Sequence, residues 1–78
     1  MIEWSDEETD DPVYANRRNF HKVERWSQDG LHITDLSYAG NSLERAREIF
    51  AAATQFRPGR PYTIRQGIRV LANWPGSK

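Results

Sequence analysis

The pattern of apolar and polar positions changes character several times along the chain. Residues 1–18 hold no sustained period of two or of 3.6, and Asp11-Pro12 punctuates them. From Phe20, the stretch FHKVERWSQDGLHITDLSY sets β-branched and aromatic residues on both sides of Gln28-Asp29-Gly30. It reads as a β-hairpin whose three-residue loop ends on a glycine at positive φ. In that register Ser27 opposes Leu31, Arg25 opposes Ile33 and Val23 opposes Asp35. Trp26–His32, Glu24–Thr34, Lys22–Leu36 and Phe20–Tyr38 pair on the other face. Both faces are therefore partly apolar.

A different period follows. In AGNSLERAREIFAAATQF, the residues Leu43, Ala46, Ile49, Phe50 and Ala53 form one apolar stripe at helical spacing. The pattern predicts a helix over residues 42–55, capped by Asn41 or Ser42, with Asn41 and Glu44 at capping-box spacing. RPGRP at 57–61 stops it, because Pro58 cannot continue a helix and Gly59 allows the turn. YTIRQGIRVLANW then returns to a period of two and repeats the x-x-Gly loop device at Arg65-Gln66-Gly67. As a hairpin or as one long strand, it places Tyr62, Ile64, Ile68 and Val70 on one face.

These elements predict an α+β fold of two layers, an antiparallel sheet covered by one helix, in the order β-β-α-β-β or β-β-α-β. The expected organisation is a mobile acidic segment over 1–18, a domain over 19–75 and a short tail over 76–78. The expected core is Val23, Ile33, Leu43, Ala46, Ile49, Phe50, Ala53, Tyr62, Ile64, Ile68 and Val70. Trp26, Leu36 and Tyr38 are expected to line the second face of the sheet. A homodimer is one way to cover that face, since contiguous apolar patches on monomers are small.

Charge sharpens the picture. The chain has 78 residues and no formal net charge, with eleven acids and eleven bases. Six of the acids (Glu3, Asp6, Glu7, Glu8, Asp10 and Asp11) lie in the first twelve residues, where no base occurs. The remaining residues carry eleven bases against five acids, a charge of +6. Halves of opposite sign hint at electrostatic partners and say little about fold. The chain lacks cysteine, which removes disulfides and thiolate metal ligands and fits a cytoplasmic protein. No window reaches the ~18 apolar residues of a membrane span, and no basic start leads into an apolar run, so neither a membrane nor a signal peptide is expected.

Candidate chemistry is sparse. The imidazoles, His21 and His32, fall on opposite faces of the expected hairpin, so they cannot converge on a metal or serve one nucleophile. The clustered carboxylates lie in a segment without the rigidity and enclosure that acid–base catalysis needs. The glycines at 30, 40, 59, 67 and 76 lack phosphate-loop spacing. No enzyme, no cofactor and no metal is expected.

Two binding readings remain. In the first, the protein is a non-enzymatic module that contacts an unidentified protein partner. Its interface is the opening segment, with Trp4 as apolar anchor and Asp6, Glu7 and Glu8 as steering charges, or the second sheet face with Trp26 and Tyr38. In the second, it is a weak nucleic-acid binder gated by its acidic tail. There Lys22, Arg57, Arg60, Arg65 and Arg69 meet phosphates while neighbouring aromatic rings stack on bases.

From Lys22 to Pro75 the chain resembles small uncharacterised bacterial proteins of alphaproteobacterial type. The resemblance rests on KVERWSQDGLHITDLSYAGN, SLERAREIF and YTIRQGIRVLANWP. It implies a bacterial cytoplasmic setting, and no activity or binding residue comes with it.

Overall fold

A computed structural model describes residues 7–75. The elements are α1 (Pro12–Arg17), β1 (His21–Trp26), β2 (Ile33–Gly40), α2 (Leu43–Phe56), β3 (Tyr62–Gln66) and β4 (Arg69–Trp74). The four strands form one antiparallel sheet in the order β2-β1-β3-β4, which makes this an α+β fold with the order β-β-α-β-β around the main helix. α2 covers one face of the sheet. α1 lies against part of the other.

α2 forms where its apolar stripe and its cap agree. Ser42 is the N-cap, its Oγ accepting the Arg45 N–H at 3.1 Å, an interaction worth about 1 kcal/mol. Asn41 does not build the capping box, because its side chain accepts the Glu7 N–H instead. The apolar face of α2 meets a core of Val23, Tyr38, Ala46, Tyr62 and Ile64, with Leu43, Ile49, Phe50, Ala53, Leu71 and Ala72 packed around it. Val23 and Ile64 are fully enclosed, and each burial contributes about 1.5–3 kcal/mol.

The first hairpin corrects the expected register. β1 and β2 are joined by a longer loop, closed by Ser27 N–H donating to the His32 carbonyl at 2.7 Å. Inside it Gly30 takes the expected positive φ of 75°. The Asp29 carboxylate accepts the Ser27 hydroxyl and the Leu31 N–H, and these bonds hold its pKa below the ordinary value. Two bulges then shift the pairing, so Val23 opposes Tyr38, Glu24 opposes Leu36 and Trp26 opposes Ile33. A shift of one residue sends a side chain to the other face. Tyr38 therefore lies in the core under α2, not on the second face, and Ile33 leaves the expected core and is exposed.

The second hairpin is real, with a tighter turn than expected. Gln66 pairs with Arg69 across a two-residue loop, with the positive φ at Gly67 and not at Ile68, the arrangement of a type II′ turn. Ile68 consequently sits at the turn tip, 95% exposed. A bulge opposite Ile64/Arg65 inserts Leu71, so Val70 pairs with Arg65 and is 56% exposed. Leu71 and Ala72 take the core places expected for Ile68 and Val70.

The expected mobile segment is also corrected over residues 7–18. Asp11 caps α1 with its Oδ1 on the Val13 N–H at 3.0 Å, and Pro12 occupies the first turn, where its missing N–H is harmless. The helix closes with Phe20 N–H on the Ala15 carbonyl and Asn19 N–H on the Asn16 carbonyl, Asn19 taking a φ of 58°. This is a Schellman closure with asparagine in the place usually held by glycine. Ala15, Phe20 and Ala39 then form a second small core, with Tyr14 and Leu36 against it. Before α1, Glu8 bridges Gly40 at the outer edge of β2.

Candidate binding face

Strand alternation builds the second face. Lys22, Glu24 and Trp26 from β1 point away from α2, and the register sets Arg65 beside Lys22 and Thr63 beside Glu24. Lys22 and Glu24 are only 2% and 3% exposed. A buried charge is tolerated only when it is paired and hydrogen-bonded. Glu24 meets that condition as a hub. Arg65 binds it through two nitrogens, Nε at 2.6 Å and an Nη at 2.9 Å. Lys22 Nζ lies 3.7 Å from it and donates to Asn16 Oδ1 at 2.5 Å. The Glu24 carboxylate hydrogen-bonded to its guanidinium raises the Arg65 pKa above its ordinary value, so the arginine is a cation at every physiological pH.

The network continues outward to an aromatic ring. Trp26 Nε1 donates to Thr63 Oγ1 at 2.9 Å, and the Thr63 hydroxyl donates in turn to Glu24 at 3.5 Å. The Arg65 guanidinium sits 5.8 Å from the centre of the Trp26 ring, within cation–π range. Trp26 is thus fixed in orientation from two sides. Beyond it, Trp26, Pro61, Tyr62, Thr63, Asn73 and Trp74 line a cleft of about 360 Å³. Trp74 comes to the cleft from the α2 side of the sheet, where it pairs with Tyr62 and its Nε1 donates to the Pro58 carbonyl at 3.0 Å. Among the described residues no charged side chain lines this cleft, and the Asn73 amide makes no side-chain hydrogen bond.

The residues expected to bind a protein separate into distinct places. Trp4 and Asp6 lie outside the described residues. Glu7 is bound into the fold: its N–H donates to Asn41 Oδ1, its carbonyl accepts from the Asn41 N–H, and its carboxylate takes the Tyr14 hydroxyl at 3.0 Å and Arg18 at 2.8 Å. Glu8 is the bridge to Gly40. Tyr38 is in the core. Trp26 alone of the six stands on the open part of the second face.

The residues expected to bind nucleic acid are not brought together. Lys22 is enclosed, and Arg65 is committed to Glu24. Arg57 and Arg60 precede β3, whereas Arg69 follows it, so the strand's length separates them, about 13 Å at 3.3 Å per residue. Sequence reasoning missed Glu24, Thr63, Asn73 and Trp74. Glu24 carried a readable signal, being an acid flanked by strand residues two places from Lys22. Trp74 and Asn73 carried none, because their place depends on the bulge at Leu71.

Among the described residues no three histidine, aspartate or glutamate side chains converge as metal ligands would, and no helix is long and apolar enough to cross a membrane. Compared with known proteins, the chain matches no family model, no curated protein and no solved structure.

Proposed function

We propose that the protein is a non-enzymatic binding module that acts by contact with another protein, and that its interface is the open end of the sheet where Trp26, on the second face, and Trp74, on the α2 side, line one cleft. The observation that carries this reading is the aromatic cleft itself. Two tryptophan rings are held rigid by internal hydrogen bonds and yet line an open concavity. Binding energy at protein interfaces concentrates in such aromatic anchors, and rings fixed in advance lose little entropy on association. Ile33, the β2 partner of Trp26, extends the apolar surface beside it. The opening segment is the weaker choice, because Glu7 already spends its backbone and its carboxylate inside the fold.

A random-peptide selection against the immobilised full-length protein tests the reading. Recovered peptides should perturb the amide resonances of Trp26, Thr63, Asn73 and Trp74 in a two-dimensional NMR titration. An Asn73→Arg variant, which alters an exposed position, should lose them while keeping its melting temperature. Peptides that map instead to α2, or a selection that enriches nothing, would overturn it.

A further inference from the structure

β4 is an edge strand of the sheet, and among the described residues nothing pairs with its outer side. We propose that a second copy of this chain does, β4 on β4 about a twofold axis, to make one continuous sheet. The inference does not rest on the partner cleft, although Asn73 and Trp74 belong to both surfaces. The bulge at Leu71 decides the geometry. Ala72 pairs with Ile64 and Trp74 with Tyr62, so both lie on the α2 side, and Arg69 joins them through Gln66. Leu71, the extra residue, packs against the same core. Val70 and Asn73 pair with Arg65 and Thr63 and lie on the other side. Taken from either end, the strand therefore reads α2 side, other side, α2 side twice, other side, α2 side. Exposure repeats the symmetry: Leu71 and Ala72 are half-buried, and the two residues at each end are exposed.

The backbone has the same symmetry. The Trp26 N–H donates to the Pro61 carbonyl, which makes Glu24–Thr63 and Lys22–Arg65 the hydrogen-bonded pairs between β1 and β3. By alternation Tyr62, Ile64 and Gln66 turn their backbone groups toward β4, where Trp74, Ala72 and Arg69 meet them. Val70 and Asn73 then direct their N–H and C=O outward. They stand three residues apart, whereas outward groups in an unbroken strand recur at every second residue. A foreign regular strand can satisfy one of the two but not both. A second β4 running antiparallel satisfies both, because Val70 of each copy faces Asn73 of the other and each pair exchanges its N–H and C=O.

The side chains agree with this register. Leu71 faces Ala72 of the second copy, and Arg69 faces Trp74, each pair on one side of the sheet. Among the described residues Arg69 is in no ion pair, and a guanidinium over an indole is a favourable contact. The two Arg69 side chains fall at opposite ends of the paired strands, about 16 Å apart at 3.3 Å per residue, beyond the ~8 Å over which salt leaves charges in contact. The opposite edge of the sheet is guarded. There Glu8 bridges Gly40 and the Thr9 N–H donates to the Ala39 carbonyl, and two bulges and the charge of Asp35 interrupt the rest of β2.

A six-residue strand on each side makes a small interface, so the association is weak and is read by concentration. The test is sedimentation and two-dimensional NMR of the full-length protein from about 10 μM to about 1 mM. The mass should rise from 9.1 kDa toward twice that value, with the largest amide shifts at Val70 and Asn73. A mixed-label sample should show amide–amide contacts between Val70 of one copy and Asn73 of the other. Val70→Pro removes an outward N–H and leaves the ladder with β3 untouched, so it should weaken the association by about tenfold or more. Val70→Thr keeps that N–H and should change the association by less than about threefold. Asn73→Pro removes the other outward N–H and replaces Val70→Pro as the probe if that variant alters the resonances of the α2 core. A single 9.1 kDa species at about 1 mM would overturn the proposal, and so would an association that neither proline variant weakens. Concentration-dependent shifts centred on Ile33 and Leu36 would also overturn it, because the copies would then meet through the second face.

Discussion

Under α2 the sheet presents Val23, Tyr38, Tyr62 and Ile64; on its other side the same strands present Lys22, Glu24, Thr63 and Arg65. The first face is held by apolar burial, which is non-directional and tolerates small errors of position. The second is held by a carboxylate between two cations, which works only while every member is in place. A 14-residue helix covers the first face, and a six-residue helix covers part of the second. Trp26 stands on the uncovered part of the second face and Trp74 on the α2 side, and a cleft opens at that end of the sheet. Packing dominates one side of this sheet, and a charge network holds the other, part of which stays uncovered among the described residues.

Breaking the hub should show the largest difference between the faces. Glu24→Gln leaves Lys22 buried and Arg65 half-buried without their counter-charge, and a buried ion pair broken on one side costs about 3–5 kcal/mol. Urea unfolding measures it. Replacing all three groups together, as Lys22→Met, Glu24→Leu and Arg65→Met, should recover most of that loss, because the desolvation of the charges disappears with them. A triple variant as unstable as the single one would show that the charges themselves stabilise the face.

On the apolar face the corresponding probe is Ile64→Ala. It empties a fully enclosed site and should cost about 2–5 kcal/mol. Val70→Ala, one strand away and more than half exposed, should change stability by less than about 0.5 kcal/mol. An equal loss at both positions would mean that the open part of the second face is covered in solution, as a homodimer would cover it.

These two positions also show what the sequence alone could and could not reveal. Ile64 was legible, since a period of two with Tyr62 and a helical stripe on α2 demand a shared interior. Val70 was assigned to the same interior and belongs to the other side. Periodicity counts residues and assumes an unbroken pleat, and each of the three bulges adds one residue that the count does not see. Tyr38 and Ile33 were misplaced for the same reason. α1 was hidden differently: six residues are too few to show a period, and the acids around them read as a mobile run. Its start was nevertheless written in Asp11-Pro12 and its stop in Asn19, a cap, a first-turn proline and a left-handed closure. The cleft was the least legible feature, because Trp26 and Trp74 come from strands that meet only through the β1–β3–β4 pairing.

A smaller effect separates the short helix from the sheet it covers. Gly40 stands where the segment before α1 crosses β2, and a Cβ there would collide with the Tyr38 hydroxyl and the Glu7 carbonyl oxygen. Gly40→Ala should therefore push residues 7–18 outward, at about 1–3 kcal/mol, the usual cost of overpacking. Hydrogen exchange should quicken at Thr9, whose N–H donates to the Ala39 carbonyl, and at Ala15, and stay slow at Val23 and Ile64. Uniform quickening across the sheet would mean that the two layers unfold as one unit.

The smallest expected effect concerns His21, a titratable group at the end of β1. Desolvation lowers its pKa from the ordinary 6.5, and among the described residues its buried Nδ1 has no hydrogen-bond partner to offset that. The folded state therefore takes up this proton less readily than the unfolded chain does. Between the lowered value and about 6.5 the unfolded state holds the extra proton, so stability rises with pH through that window and is level above it. Acidifying from pH 7 toward pH 5.5 should lower the unfolding free energy with a slope that cannot exceed about 1.4 kcal/mol per pH unit from a single group. His21→Leu should flatten this part of the curve. An unchanged slope in the variant would assign the pH dependence to other groups and would place His21 in water in the folded state, exchanging its proton as freely as in the unfolded chain.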